Sequence, residues 1–386
     1  MDRIYLDHNA TTPLDPRVAE AMTACALTHF ANPSSQHRRG RAARQVLEEA
    51  REAIAEMLGA SLAGRRGDRL VFTSGGTEAN NLALCGLVEG RAAVTIASAI
   101  EHPSVTAALE RLAAQGRTTA TLPATPDGVL DLNVARDWLA NSAASVVSVM
   151  LANHETGALQ PVTELAELKR KQGFLLHTDA TQAVGKIRVS FRELGVDALT
   201  CSAHKFHGPP GIGALLLRHG VTVEPQMVGG FQQEGLRCGT ECVALAVGMM
   251  TALRLWHEEA EARQRRMTQL RLRLEGQLIE AFPHAVIHAA HTPRLPNTVN
   301  ISFPGVDRQA LLMALDMDGV ECSTGSACAS GSSEPSPTLK AMGVEPALVD
   351  TSLRISLAAT TTEEEIGQAV RRIIAAAKQV AAFSFR

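Results

Sequence analysis

The stretch Asp197-Ala-Leu-Thr-Cys-Ser-Ala-His-Lys-Phe-His-Gly-Pro-Pro-Gly-Ile-Gly-Ala-Leu-Leu-Leu-Arg218 sets the terms for the fold. Two apolar runs, 198–202 and 213–218, read as strands, and the polar knot between them holds Ser202, His204 and Lys205. A lysine between buried strands is out of place, because its hydrated charge must be paired or suppressed. A lysine that condenses with an aldehyde needs such surroundings; a surface-turn lysine is the plainer alternative, and the rest of the chain has to decide between them.

Working back from this stretch, the chain alternates. Strands are expected at 69–74, 92–98, 118–122, 145–152 and 174–179, with helices from Thr77 and over 103–115, 132–140 and 163–171. Several of these strands are apolar throughout, which suits a mostly parallel sheet covered on both faces. Ligands bind such sheets at the carboxyl ends of the strands. The polar knots after Ser74, Ser98, Ala152, Asp179 and Ser202 all fall there. Upstream, Pro16 starts a helical stretch, the loop Ala31-Asn-Pro-Ser-Ser35 ends it, and residues 36–60 read as a long amphipathic helix.

Beyond Trp256 the pattern changes. Residues 257–282 read as a charged helix with Met267, Leu270, Leu274 and Leu278 as its buried stripe, a connector leaving the large domain. A smaller α+β unit follows, with strands at 298–303 and 353–357 and helices at 308–316 and 362–381. The organisation expected is a large domain over 15–256 and a small one made of 1–14 and 257–386. Within the latter, the small and polar residues of 323–338 cannot build a core and read as a mobile loop with Cys328 in its middle.

Composition excludes several classes. With 386 residues, 20% charged, 45% hydrophobic and a formal net charge of −3, the chain has the make-up of an ordinary globular protein, and no Lys/Arg block calls for nucleic acid or a membrane surface. No apolar run is long enough to span a membrane and the opening residues lack a signal-peptide core, so the expected location is the cytoplasm. The seven cysteines are odd in number and scattered, as reduced thiols are. Cys238, Cys242, Cys322 and Cys328 match no zinc spacing, and no metal is expected.

The knots carry the chemistry. Ser74-Gly-Gly-Thr-Glu-Ala-Asn-Asn81 joins a strand to a helix, so Gly76, Thr77 and the free N–H groups there suit a phosphate, or serve as a simple helix cap. Ser202 and His204 add donors from another strand end. Asp179, closing a strand, needs a cation if buried; a protonated pyridine nitrogen is one, and a cap or an ion pair are the alternatives. His102 follows a strand where an imidazole can stack on a ring, and Asn153 can bond a ring substituent. With Lys205 for an aldehyde, one ligand satisfies the set: pyridoxal 5′-phosphate, an electron sink for carbanions.

The segments Tyr5-Leu-Asp-His-Asn-Ala-Thr-Thr-Pro13, Asn32-Pro-Ser-Ser35, Ser74-Gly-Gly-Thr-Glu78, Glu101-His-Pro103, Asn153-His-Glu-Thr-Gly157, Asp179-Ala-Thr-Gln182, Ser202-Ala-His-Lys205, Arg237-Cys-Gly-Thr-Glu241 and Ser326-Ala-Cys-Ala329 resemble, in order and spacing, the NifS/IscS cysteine desulfurases of the class V aminotransferase group. The resemblance spans essentially the whole chain. It implies the pyridoxal-phosphate-dependent aminotransferase type I fold, an α/β large domain with a mostly parallel seven-stranded sheet covered by helices plus a smaller α+β domain. It also implies a homodimer with sites at the interface. Residue by residue, it implies Lys205 as the cofactor's anchor, Asp179 at the pyridine nitrogen, Gln182 at the ring oxygen and His102 stacked on the ring. Gly76, Thr77, Ser202 and His204 would take the phosphate, with Thr240 reaching in from the second subunit. Asn153, Arg354 and Asn32 would bind the substrate carboxylate, a task that suits a guanidinium fork.

The activity so implied converts L-cysteine to alanine. Lys205 acts as base at the substrate carbon and Cys328 takes the sulfur as a persulfide, to be passed to an acceptor or an iron–sulfur scaffold protein for cluster, thio-cofactor or tRNA synthesis. A selenocysteine lyase or another β-lyase on the same fold is the alternative. Phe231 stands where a glycine is usual and Pro210 where many relatives carry lysine, which bears on subunit contacts and cofactor access.

Overall fold

The computed structural model describes residues 2–88, 94–325 and 334–384. Seven strands form the large sheet, in the spatial order Arg69–Thr73, Gly213–Leu217, Ala198–Ser202, Leu175–Asp179, Ala144–Ser148, Val94–Ser98, Thr119–Leu122. Every neighbouring pair is parallel except those made by Gly213–Leu217, which runs against both Arg69–Thr73 and Ala198–Ser202. The cause is chain length. A parallel return needs a crossover of a dozen or more residues, and only residues 203–212 separate Ser202 from Gly213. Arg69–Thr73 is thereby turned so that its carboxyl end lies on the same edge as those of the parallel strands.

The sheet is buried on both faces, as its uninterrupted apolar strands require. On one side lies a core containing Leu47, Ile54, Phe72, Ile96, Leu176, Phe191 and Leu216; on the other, Val71, Leu82, Leu84, Val105, Leu109 and Leu215 pack together. Strand bounds differ from the expected ones by a residue or so, and by more at 145–152, where the strand ends at Ser148 and the chain beyond bonds individually to the next strand (Leu151 N to Asp179 O, 2.9 Å).

A separate core gathers Ile4, Leu6, Leu270, Leu274, Leu278, Val299, Ile301, Leu311, Leu353, Ile355, Ile366 and Ile373. Here Thr298–Ser302 pairs antiparallel with Ser352–Ser356 and with Val286–Ile287, and Ile4–Tyr5 pairs in parallel with Val320–Glu321. One helix, Val243–Ala281, serves both cores: Ala246, Met249 and Leu253 enter the first, Leu270, Leu274 and Leu278 the second. The helix expected to start at 257 therefore starts at Val243. The change at Trp256 marks where the covered face changes, from a segment packed by the helices Pro16–Thr28 and Arg38–Met57 to one packed by Glu363–Ser384.

The patch 323–338, expected to be mobile throughout, is tied down at its described ends. Ser323 bridges to Arg354, and the buried Ser336 caps a short helix, Pro337–Ala341, by accepting from Leu339 N at 3.0 Å. Residues 326–333, Cys328 among them, lie outside the described residues.

Gly185 marks the tightest contact between the sheet's edge turns. Its φ is +77°, and a Cβ there would stand 2.1 Å from Phe206 Cβ. Gly185→Ala combines a left-handed side-chain residue with overpacking, and a loss of about 3 kcal/mol in unfolding free energy is expected from urea titration.

Candidate active site

A cavity of about 210 Å³ opens at the carboxyl edge of the sheet, lined by Ala10, Gly76, Thr77, Asn80, His102, Ser104, Met150, Ala152, His154, Asp179, Thr181, Gln182, Ser202, His204 and Lys205. Eight residues singled out in the sequence stand on its wall: Gly76, Thr77, His102, Asp179, Gln182, Ser202, His204 and Lys205.

One end suits an anion. The 12-residue helix Gly76–Leu87 begins there, so its first N–H groups and its dipole face the cavity. A Cβ on Gly76 would come within 3.0 Å of Thr181 Oγ1. The hydroxyls of Ser202 and Thr181 are buried and lack a partner among the described residues. Buried hydroxyls normally find a partner, so this pair is a donor set awaiting an acceptor. His204, with Nδ1 3.1 Å from Thr11 Oγ1, is held down to about 4 by burial and then by Lys205, so it meets an anion as an uncharged ring.

The other end suits a cation. Asp179 terminates its strand and is only 6% exposed. Asn80 Nδ2 donates to Oδ2 at 2.7 Å and Thr181 N to Oδ1 at 2.9 Å, which fixes the carboxylate and leaves lone pairs for an N–H⁺ group. Glu101, behind Met150, does not compete: burial pushes it up to about 8, and it stays protonated while accepting from Ser98 Oγ (2.5 Å) and Met150 N (2.8 Å).

Lys205 lies in the 3₁₀ turn Ala203–Lys205 that immediately follows Ala198–Ser202. Its Nζ donates to the carbonyls of Asn9 (2.6 Å) and Ala10 (2.7 Å), so the amine is aimed by backbone from the other end of the chain. His102 caps the helix Pro103–Ala114: its Nδ1 accepts from Ser104 N at 3.1 Å, which fixes the ring plane. His154 packs edge-on to it at 5.3 Å, and burial, followed by the charges of His102, Arg354 and Lys205, holds His154 far below the usual imidazole range.

Other expected site residues lie elsewhere. Asn153 is buried but off the cavity wall. Its Oδ1 accepts from Glu155 N and Thr156 N, both at 2.9 Å, and its Nδ2 donates to Ile100 O at 3.0 Å, so it shapes the turn that presents His154. Arg354, 3% exposed, pairs with Asp7 at 2.7 Å and donates to His154 O. Thr240 is exposed on a loop beside Ser74 and Arg237, and Asn32 is exposed, capping Ser34 N at 2.8 Å.

The wall also holds residues that sequence reading passed over: Asn80, Ser104, Met150, His154 and Thr181. Asn80 and Thr181 had a signal, since one lies a helical turn after Gly76 and the other between Asp179 and Gln182. Ser104 and Met150 had none, being brought in by sheet order alone.

The family model for Aminotransferase class-V matches residues 4–368. A cysteine desulfurase of Enterobacter agglomerans is 41% identical over 380 residues, covering 97% of this chain and 92% of that protein. The cysteine desulfurase NifS of Azotobacter vinelandii is 37% identical over 375 residues, with the same 97% and 92% coverage. Among solved structures, a NifS-like protein superposes with a TM-score of 0.89 at 34% identity over the full length of both chains. The NifS-like protein from Rickettsia africae gives 0.87 at 32% identity, covering 96% of this chain and 98% of that one. The chain belongs to the aminotransferase class-V family.

Proposed function

We propose that this chain is a pyridoxal-5′-phosphate-dependent cysteine desulfurase. The observation that carries the reading is Lys205 set on one cavity wall with Asp179 and an anion-binding helix start, in a chain about 40% identical to proteins named cysteine desulfurase. Gly76, Thr77, Ser202 and His204 would hold the cofactor phosphate, Asp179 the ring nitrogen, Gln182 the ring oxygen, and His102 the ring face. The orphaned hydroxyls of Ser202 and Thr181 and the preset carboxylate of Asp179 fit that group. When bound, it supplies an electron sink for the substrate carbon.

The chain's own residues do the rest. Lys205, as a free amine, would take the Cα proton of L-cysteine. Arg354 and Asn153, already fixed by burial and hydrogen bonds, would orient the substrate carboxylate once Arg354 exchanges its partner Asp7. The Cys328 thiolate attacks the substrate sulfur; the S–S bond forms as the C–S bond breaks, its electron pair stays with carbon, and protonation there yields alanine. Enzyme thiol and cysteine thus become enzyme persulfide and alanine, with nothing left over, and the persulfide passes sulfur to an acceptor protein for cluster or thio-cofactor synthesis.

The reading includes a division into residues 15–256 and residues 1–14 with 257–386, joined by one continuous helix. It also includes a cytoplasmic location; no helix among the described residues is long and apolar enough to cross a membrane. A homodimer is the third part. Val228 is 91% exposed and Phe231 94%, beside a depression of about 680 Å³ lined by Arg44, Arg51, Arg69 and Gln233, and a face of this kind suits burial against a second copy.

Mass spectrometry of the Cys328 peptide after incubation with L-cysteine is expected to show a gain of one sulfur that reduction removes. Cys328→Ala should lose cysteine turnover; retained turnover of selenocysteine by that variant would favour the lyase alternative. Asp179→Asn should lower alanine formation by about 10²- to 10³-fold with the fold intact, because the ring nitrogen loses its charged partner. Phe231→Asp should shift the protein from dimer toward monomer in light scattering, and an unchanged mass would count against this face as the contact.

A further inference from the structure

Gln182-Ala-Val-Gly-Lys186 contains a lysine that no step of the reaction uses. Lys186 is 3% exposed. The left-handed Gly185 that precedes it lets the turn press against Phe206, the residue after Lys205, and so brings two lysines together at one buried point. Both line the same small cavity behind the active site, with His8, His207, Arg263 and Asn297.

The hydrogen bonds of Lys186 run to two amides. Its Nζ donates to Gln182 Oε1 at 2.5 Å and to Asn9 Oδ1 at 3.0 Å. A backbone carbonyl only accepts, so the contacts of Gln182 with Asn9 O and of Asn9 with His154 O determine the NH₂ side of each amide and leave both amide oxygens facing Lys186, whose nitrogen donates to them. Gln182 must turn its NH₂ away from Lys186, and it donates to Asn9 O at 3.0 Å, the same carbonyl that receives Lys205. Asn9 must turn its NH₂ toward Thr298 Oγ1 (2.9 Å) and His154 O (3.3 Å), while Asn297 Nδ2 also donates to Asn9 Oδ1 at 3.1 Å.

Resting on the desulfurase reading, we propose that Lys186 is a positioning residue: as an uncharged amine with two N–H groups for two acceptors, it locks Gln182 and Asn9 in the orientation that aims Lys205 and presents the Gln182 NH₂ to the cofactor's ring oxygen. The surroundings agree. Burial, then the charges of Lys205 and Arg354, hold Lys186 far below the usual lysine range. Its other titratable neighbours are His8, His204 and His207, each lowered by burial first; Arg263 adds another cation to the same cavity wall. An ammonium here would meet these cations and carry a third N–H beyond the two acceptors.

The test has two arms. Cofactor-free wild-type protein with ¹³C-labelled lysine offers only six lysine side chains. The Lys186 resonance, identified by its loss in Lys186→Met or, should that variant not fold, as the uncharged signal that persists in Lys205→Ala, is expected to be that of an amine at pH 7.5; an ammonium signal overturns the proposal. In the second arm, the absorbance of wild type and Lys186→Met loaded with pyridoxal 5′-phosphate is titrated with acid and base. The variant should keep its unfolding midpoint near neutral pH. Its absorbance should titrate about one pH unit higher, because an oxygen anion that loses a donor holds a proton more tightly. Lys186→Arg, which cannot become uncharged, should not restore the wild-type midpoint. A midpoint unchanged in Lys186→Met would overturn the proposal. Failure of the desulfurase reading would show differently, as a wild type that forms no lysine-bound cofactor band while the first arm still reads the amine.

Discussion

The constraint on which the site depends is the backbone of residues 9–12 wedged beneath the turn that carries Lys205. The lysine donates to the carbonyls of Asn9 and Ala10, Thr12 N and Oγ1 both donate to His204 O, and His207 N donates to Thr12 Oγ1. These bonds leave the turn no freedom to swing. They also account for His207, a non-glycine residue at φ +64°: its left-handed conformation is held by bonds at N and at the ring, where Nδ1 meets Pro13 O at 2.9 Å. A short loop between two antiparallel strands thereby behaves as a fixed mount, and the amine it carries is aimed before any ligand arrives.

Charge inside the site is kept sparse. His154, His204 and His8 are all held uncharged by burial, and Glu101 is held protonated, so the charged groups left near the cavity are few. In a low-dielectric pocket this matters more than the count of hydrogen bonds, since each unpaired charge costs several kcal/mol. A neutral His204 beside an anion acts through N–H direction alone, and Asp179, held by two donors, keeps its orientation without needing a resident cation. The pocket is organised around the charge of its ligand, with little of its own to cancel.

Much of this was legible in the sequence because polar residues at the ends of apolar strands have few places to go. In a mostly parallel sheet those ends share an edge, so Ser202, Asp179, His102 and Gly76 meet without further information. What stayed hidden depends on contacts with no local signature. Val243–Trp256 is apolar almost throughout and shows no stripe to reveal a helix, so the helix was legible only from residue 257 on. The reversal of Gly213–Leu217 follows from a ten-residue spacing, not from its composition, which reads the same in either direction. Lys186, Asn9 and His154 act through partners set by tertiary packing, and neither periodicity nor spacing points to them. Asn153, which the motif carries to a ligand role, has side-chain bonds to Glu155 N, Thr156 N and Ile100 O that no spacing in the sequence announces.

The pairing of Asp7 with Arg354 joins residues 347 positions apart in sequence. The large sheet is built from neighbouring stretches and can form as the chain emerges, but Ile4–Tyr5 has no strand to join until Val320–Glu321 exists. At about 5–20 residues per second, ribosomal synthesis keeps Asp7 waiting roughly 20–70 s for its arginine. During that interval Lys205 has a turn but not the completed scaffold that holds the carbonyls of Asn9 and Ala10 in place. The nascent protein is therefore a sheet without a finished active site, and reactive amine chemistry is withheld until Val320–Glu321 and Arg354 have been made.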